Sequence, residues 1–416
     1  MFDVATLGPR SLGVLVQSVG GGGGAAGIEG ARLLRQGSDG TNGSGGAVRA
    51  TLDTGGAVSA AGIGSHAVVA QLVAGGGGAT LAYGAAVRRY DPDLPPGEAL
   101  DLAFELGLGS GATAGNGVGG VATLDLSAAI DTTGDHAYGA IVQSIGAGGS
   151  VVSLTPAEID RETTTPVSSD TATLSTHTGR ANVPDCAGAS QVAATLRGAA
   201  RIRTTGAGSR GAVAQTVQSG GGSAMGFELL QRPSAGEGDA VSVTVGVQGG
   251  FPLRYSPTPS TLTQSGTVTT LGADTDGVLY PVIGSGVGVL GSSGGGSATV
   301  DGNGMAAAPA AIDRTADATA CEMTISLGHQ GADGGAQDNM AEATLGGTIT
   351  TYGDFAEAAI AQSISGGGGV AVAPSSGLRS VSVGTTGGQF GYGGGIVVQS
   401  ISNGGGLFAG AAAGDD

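Results

Sequence analysis

The sequence predicts an all-β fold in which one unit is repeated and stacked. Three observations carry this. A strand motif occurs in seven copies, nearly every copy runs into a glycine cluster, and fixed motif positions hold aliphatic residues in every copy. A chain that repeats one strand and one turn builds a solenoid, and internal repeats decide the fold before other signals do.

The clearest copy is Ile141-Val142-Gln143-Ser144-Ile145-Gly146. Others centre on Gln17, Gln71, Gln215, Gln362 and Gln399, and a decayed copy from Val278 to Gly284 has Pro281 at the centre. Two positions before the centre stand Leu15, Val69, Ile141, Val213, Leu279, Ile360 and Val397. Two positions after it stand Val19, Val73, Ile145, Val217, Ile283, Ile364 and Ile401. A period of two with β-branched residues marks a strand whose same-side residues face a core. Four positions before the centre the residue is always small (Gly13, Ala67, Gly139, Gly211, Gly277, Ala358, Gly395), which lets backbone approach closely.

The glutamine shares the face of the aliphatic columns. An inward amide is costly unless it is hydrogen-bonded. Glutamines stacked about 4.8 Å apart in neighbouring coils can bond one another. The expectation is an internal ladder of Gln17, Gln71, Gln143, Gln215, Gln362 and Gln399. The alternative is that glutamine faces solvent and the other column (Val16, Ala70, Val142, Ala214, Ala361, Val398) forms the core. Pro281 lacks a backbone N–H, so its coil should be irregular or near an edge.

Two further strand types fill the unit. One is a Thr-Leu-x-Thr type at Ala50 to Thr54, Ala122 to Leu126, Ala194 to Arg197, Val268 to Gly272 and Ala343 to Thr350. The other alternates, at Leu100 to Leu108, Val241 to Gly246, Met323 to Gly328 and Val381 to Gly384. Three strand types in cyclic order describe a three-sided coil. Motif centres are spaced 54, 72, 72, 66, 81 and 37 residues apart. The shortest interval holds one turn of three strands; longer ones need a second turn or projecting loops. Charged or proline-rich insertions near 84–98, 155–170, 231–239 and 252–260 read as such loops. Residues 1–416 read as one repeat solenoid, and because the repeat is under way at both ends, it looks cut from a longer one.

Composition agrees. Glycine is 87 of 416 residues, about three times the usual share, without the strict period of collagen. The chain is 40 % hydrophobic and 12 % charged, so it can bury a core rather than stay disordered. With aromatics at 3 % and no Trp, that core must be Val, Ile, Leu and Ala. A net charge of −17 argues against nucleic-acid or anionic-membrane partners. Every basic residue is Arg, which excludes a Walker A loop, a Schiff-base lysine and a Ser-x-x-Lys nucleophile. Cys186 and Cys321 pair only if the fold brings them together. No apolar run is long enough for a transmembrane helix, and Met1 to Thr6 lacks the basic and apolar regions of a signal peptide.

The repeated Gln-Ser-(Ile/Val)-Gly-rich core, with its Thr-Leu-x-Thr and Val-x-Val-x-Gly companions, resembles the glycine-rich repeats in passenger regions of classical autotransporters of proteobacteria. The resemblance runs from about Ser11 to Gly406. It implies a right-handed parallel β-helix (a three-sided β-solenoid with Gly-rich turns and projecting loops), secreted by the type V route and held at the cell surface of a Gram-negative bacterium. The translocator barrel of that family has no counterpart here.

Signals for chemistry are weak. Gly291-Ser292-Ser293-Gly294-Gly295 matches a nucleophile elbow, but such matches arise by chance in a chain rich in Gly and Ser. His66, His136, His177 and His329 lack metal-ligand spacing. Asp274-Thr275-Asp276-Gly277 starts like a calcium loop without the later glutamate, and reads as a solvated acidic turn. Asp53 and Asp125 occupy one column of the Thr-Leu-x-Thr type, the nearest approach to a carboxylate pair; Arg197 replaces them in the third copy, and a charged outer face explains this.

The expectation is therefore a non-enzymatic structural and adhesive surface protein with no cofactor. Arg88, Arg89, Tyr90 and Asp91 form the candidate interaction loop towards surfaces, matrix or other cells. The rivals are a self-assembling extracellular filament that stacks end to end, and a glycan-active β-helix enzyme.

Overall fold

The computed structural model describes residues 2–21, 23–29, 33–36, 43–75, 77–83, 104–108, 119–146, 149–155, 171–178, 190–217, 222–225, 239–247, 259–283, 289–291, 321–327, 341–353, 356–364, 370–372, 378–383, 396–400 and 407–412. Among them every regular element is a β-strand. The strands form five parallel sheets, four of six strands and one of seven.

One repeat shows the unit: Val121–Leu126, Ala129–Thr132, Ala140–Ile145, Gly149–Thr155 and Thr171–Thr178. Each strand pairs in parallel with its counterparts one repeat away on either side. In chain order we call the resulting sheets the leucine, short, glutamine, glycine and alternating sheets. The sequence suggested three strand types; the structure holds five per repeat. The step between repeats is 54 residues from Gln17 to Gln71, 72 from Tyr138 to Arg210, 66 from Arg210 to Asp276 and 81 from Asp276 to Glu357.

The glutamine sheet is buried on both faces. His66–Val73 and Ala140–Ile145 are buried at every position. On one face Val68, Ala70 and Leu72 pack with Val48, Ala50 and Leu52 of the leucine sheet and Val58 and Ala60 of the short sheet. On the other, Val69, Ile141, Val213 and Leu279 form a second cluster with Val151 of the glycine sheet. This is why the motif reads as an almost unbroken aliphatic run, the pattern of a doubly covered parallel strand. Gln71, Gln143, Ala70 and Val142 are all buried, so both columns of the motif face cores and neither faces solvent. The leucine and short sheets cover the core with one face only, so Val48–Leu52 and Arg201–Thr204 alternate buried and exposed. Each fully buried Leu, Val or Ile contributes about 1.5–3 kcal/mol.

Several sequence expectations shift in register. Thr51 pairs with Asp125, not with Thr123, so Asp53 and Asp125 do not share a column. The fourth leucine-sheet strand is Ser260–Gln264, while Val268 lies in the short sheet opposite Ile202. Gln399 leaves the glutamine column: Ile396–Ser400 pairs with Ala341–Leu345, and Gln399 faces Thr344. Leu407–Ala412 continues the glutamine sheet, with Gly410 opposite Gln362. The offset of Asp53 has one cause: a period-two pattern fixes which face a residue takes but not its even-numbered register. Val268 and Gln399 change sheet instead, because the same local pattern serves more than one sheet. Pro281 sits inside a strand, Val278–Ile283, in register with Gln362, but towards the preceding repeat the pairing lapses at Tyr280 and Pro281, the irregularity a missing N–H predicts. Its neighbour Tyr280 is fully buried, facing Ala361 across the register.

The short sheet leads into the glutamine sheet through a tight turn whose left-handed position is held by Gly64 (φ 66°) and Gly208 (φ 62°). Arg10, His136 and Asp274 take the same conformation, at φ 55°, 55° and 54°, which costs a side chain about 1–2 kcal/mol. Two residues before this position glycine is constant: Gly8, Gly62, Gly134, Gly206, Gly272 and Gly353. A Cβ at Gly206 would run into the carbonyl oxygen of Gly134, and one at Gly272 into that of Gly206.

Candidate functional site

The densest polar assembly among the described residues lies at the entrance of the glutamine sheet. Five positions before the motif centre stand Leu12, His66, Tyr138, Arg210, Asp276 and Glu357, one per repeat. Backbone bonds hold this column in register. Ala67 N–H donates to Tyr138 O (3.1 Å), Gly139 N–H to Arg210 O (3.0 Å), Gly211 N–H to Asp276 O (3.0 Å) and Gly277 N–H to Glu357 O (2.8 Å).

A threonine clasp sets four of these residues, Tyr138, Arg210, Asp276 and Glu357. The last threonine of the short strand before each donates its hydroxyl to the carbonyl just before the column. Thr132 bonds Ala137 O (2.7 Å), Thr204 bonds Ser209 O (2.6 Å), Thr270 bonds Thr275 O (2.9 Å) and Thr351 bonds Ala356 O (2.9 Å). The signal for it is a Thr-x-Gly triplet, as in Thr132-Thr133-Gly134 and Thr204-Thr205-Gly206, which the motif-centred reading passed over.

The column is a chain of contacts between repeats. Tyr138 N–H donates to His66 Nδ1 (3.1 Å), and the two rings meet edge to face with centroids 5.4 Å apart. The Arg210 guanidinium lies 5.5 Å from the Tyr138 ring centroid and donates to its hydroxyl. Arg210 Nε donates to Asp276 Oδ2 at 2.7 Å, with both side chains 1 % exposed. Asp276 Oδ1 accepts the Glu357 N–H (3.4 Å).

Each environment moves a proton affinity. Burial, with His136 nearby, pulls His66 down to about 3, so its imidazole is neutral. Burial opposes charge on Arg210, but Tyr138 and Asp276 outweigh it and hold the guanidinium above its ordinary value. A side-chain hydrogen bond to Asp276, aided by burial, pushes Glu357 up. Burial likewise raises the Tyr280 phenol. A buried ion pair contributes little net stability, because desolvation offsets the attraction, but removing one partner strands the other. Chemically, these side chains are spent on one another and join repeat to repeat.

The glutamines form a second column. Gln17, Gln71, Gln143 and Gln215 stand in register. Gln17 Nε2 donates to Gln71 Oε1 (3.2 Å), and Gln71 Nε2 donates across to Gly78 O of the glycine sheet (2.8 Å). Neither polar atom of the Gln143 side chain has a hydrogen-bond partner. Gln362 faces Pro281, and Gln399 lies in another sheet.

Other expected sites fare differently. Arg88, Arg89, Tyr90, Asp91, Cys186 and His329 lie outside the described residues, as does most of each expected loop. Asp276 is not a solvated turn residue but the buried partner of Arg210. Arg197 does reach Asp125, with Nη2 2.6 Å from Oδ2, so Asp125 is held below the usual carboxylate range first by this bond. No group of three or more potential metal ligands occurs among the described residues. No helix among them is long and apolar enough to cross a membrane.

No protein-family model matches the chain, and neither does any of the curated proteins or solved structures compared with it.

Proposed function

We propose that the chain is an extracellular structural and adhesive protein, a passenger of the autotransporter type displayed on the surface of a Gram-negative bacterium. Its sheets close as a right-handed parallel β-helix, three-sided where the leucine, short and glutamine sheets share one core, with the glycine sheet packed behind the glutamine sheet. Right-handed crossover is the rule for parallel strands of one sheet. The observation that carries the reading is the use made of polar groups: the buried column from His66 to Glu357 joins repeat to repeat instead of converging on a substrate. Seven strands about 4.8 Å apart give the glutamine sheet a span of roughly 30 Å, a stiff stalk segment. Recognition belongs to the segments between the sheets.

The test applies Fab fragments raised against the folded chain to the producing cells. Labelling of intact cells, with reduced attachment to a surface or to each other, is the expected result. Labelling only after permeabilisation overturns the surface placement; labelling with unchanged attachment overturns the adhesive role.

A further inference from the structure

We propose that Ile396–Ser400 and Leu407–Ala412 form a two-position switch. They occupy the leucine and glutamine sheets, as observed, or move together to the glutamine and glycine sheets, and the move uncovers the edge of Ala341–Leu345. Two signals in the chain disagree about where these strands belong.

The first signal is the motif. Residues 395–409 align with residues 358–372 without a gap: Gln399 with Gln362, Ser400 with Ser363, Ile401 with Ile364, Ser402 with Ser365, and Gly404 to Gly406 with Gly367 to Gly369. By this alignment Ile396–Ser400 matches Ala359–Ile364 of the glutamine sheet, and Leu407 to Ala409 match Val370–Val372 of the glycine sheet. The second signal is chain length. Twelve residues separate Val383, the end of the last alternating strand, from Ile396. Twelve separate Val247 from Ser260 and thirteen separate Leu327 from Ala341, which is the passage from the alternating to the leucine sheet in the two preceding repeats. Length therefore delivers Ile396 to the leucine sheet although it opens a glutamine motif.

The two seatings are close in backbone pairing. As observed, five residues pair on the leucine edge and six on the glutamine edge. After the exchange, Ile396 to Ile401 pair with the six residues of Ala359–Ile364, and Leu407 to Ala409 with the three of Val370–Val372. A buried amide pulls the other way. Gln362 faces Gly410, which has no side chain to offer, and Gln362 Oε1 is buried without a hydrogen-bond partner. An unpaired buried acceptor is costly. The exchange sets Gln399 in register with Gln362, and amides so placed do bond: Gln17 Nε2 donates to Gln71 Oε1 at 3.2 Å. The observed seating has more backbone pairs and the exchanged one satisfies the buried oxygen, so neither dominates. The exchange also strips Ala341–Leu345 of its partner on that side. An open edge whose Ala341, Ala343 and Leu345 are already held in the core is a template for an added strand.

Disulfide trapping reads the seat directly, because a bridge forms only between Cα atoms closer than about 7 Å. The full chain with Cys186→Ser and Cys321→Ser carries Val398→Cys and one partner, and is equilibrated in a glutathione buffer. Ala343→Cys reports the observed seating. Ala361→Cys, now opposite Ala409, reports the exchanged one. Ala214→Cys, two repeats further down the glutamine sheet, measures chance collision. Both the Ala343→Cys and the Ala361→Cys bridges should form well above that background. Adding Gln362→Leu removes the orphan oxygen from the observed seating and denies Gln399 its partner in the other. It should lower the Ala361→Cys bridge relative to the Ala343→Cys bridge by about tenfold. Bridging at only one of the two seats overturns the proposal, and so does a ratio that Gln362→Leu leaves unchanged. A second reading needs no introduced cysteine and holds if those variants fold badly: amide exchange across Ala341–Leu345 should be slower in Gln362→Leu than in the parent chain. Equal or faster exchange there overturns the proposal as well.

Discussion

Acid should loosen the stack through His66. Its imidazole is wholly buried, accepts the Tyr138 N–H at Nδ1, and has no partner for Nε2. Burial lowers its pKa from 6.5 to about 3. Between these values the unfolded chain holds a proton that the folded chain refuses. The stability is therefore whole above pH 6.5 and is lost progressively as the pH falls towards 3. At about 1.36 kcal/mol per pKa unit, the loss at pH 5 is about 2 kcal/mol. His66→Asn keeps an acceptor for Tyr138 N–H but does not titrate. Urea unfolding of both proteins at pH 7.5 and pH 5.0 should show the parent losing about 2 kcal/mol more than the variant. Glu357, whose raised affinity acts in the opposite sense, is common to both and cancels. Parallel losses, or an imidazole that titrates near 6.5 by NMR, would refute the reasoning.

The buried pair, the glutamines and the turn glycine make three more predictions. Arg210→Met alone strands Asp276 and should cost about 3–5 kcal/mol; adding Asp276→Leu should recover most of it, as read in a double-mutant cycle by urea unfolding. Gln71→Leu removes the donor to Gly78 O and should cost about 1 kcal/mol or more. Gln143→Leu removes two unpartnered buried atoms and should be neutral or stabilising, so a larger loss at 143 than at 71 would contradict the assignment. Gly206→Ala forces a methyl against the Gly134 carbonyl and should cost about 1–3 kcal/mol. Gly198→Ala, whose nearest neighbour would be 3.9 Å away, should leave the thermal midpoint almost unchanged.

Strand types were the most legible part of the sequence. The alternating segments at Phe104–Leu108, Asp239–Val247, Cys321–Leu327 and Leu378–Val383 do fall in one sheet, because alternation is a local property. The glutamine motif was found in each repeat that carries it, but its last copy was misplaced: Ile396–Ser400 carries the same pattern and serves the leucine sheet instead. The polar column carries no repeating signal in the sequence, because its members differ in every repeat. A search for repetition discards a column of Leu, His, Tyr, Arg, Asp and Glu, and their complementarity exists only between neighbours.

By itself, then, the amino-acid sequence determined that the chain is all β, that its strands repeat, and which residues are aliphatic enough to be covered. These follow from period-two patterning and glycine placement, both of which act within a few residues. Only the tertiary structure decided that the unit has five strands, that the glutamine sheet is buried on both faces, and that Arg210 meets Asp276 across 66 residues. Register between parallel strands is a long-range choice among nearly equivalent hydrophobic pairings, and the contacts that distinguish them form only when the repeats stack.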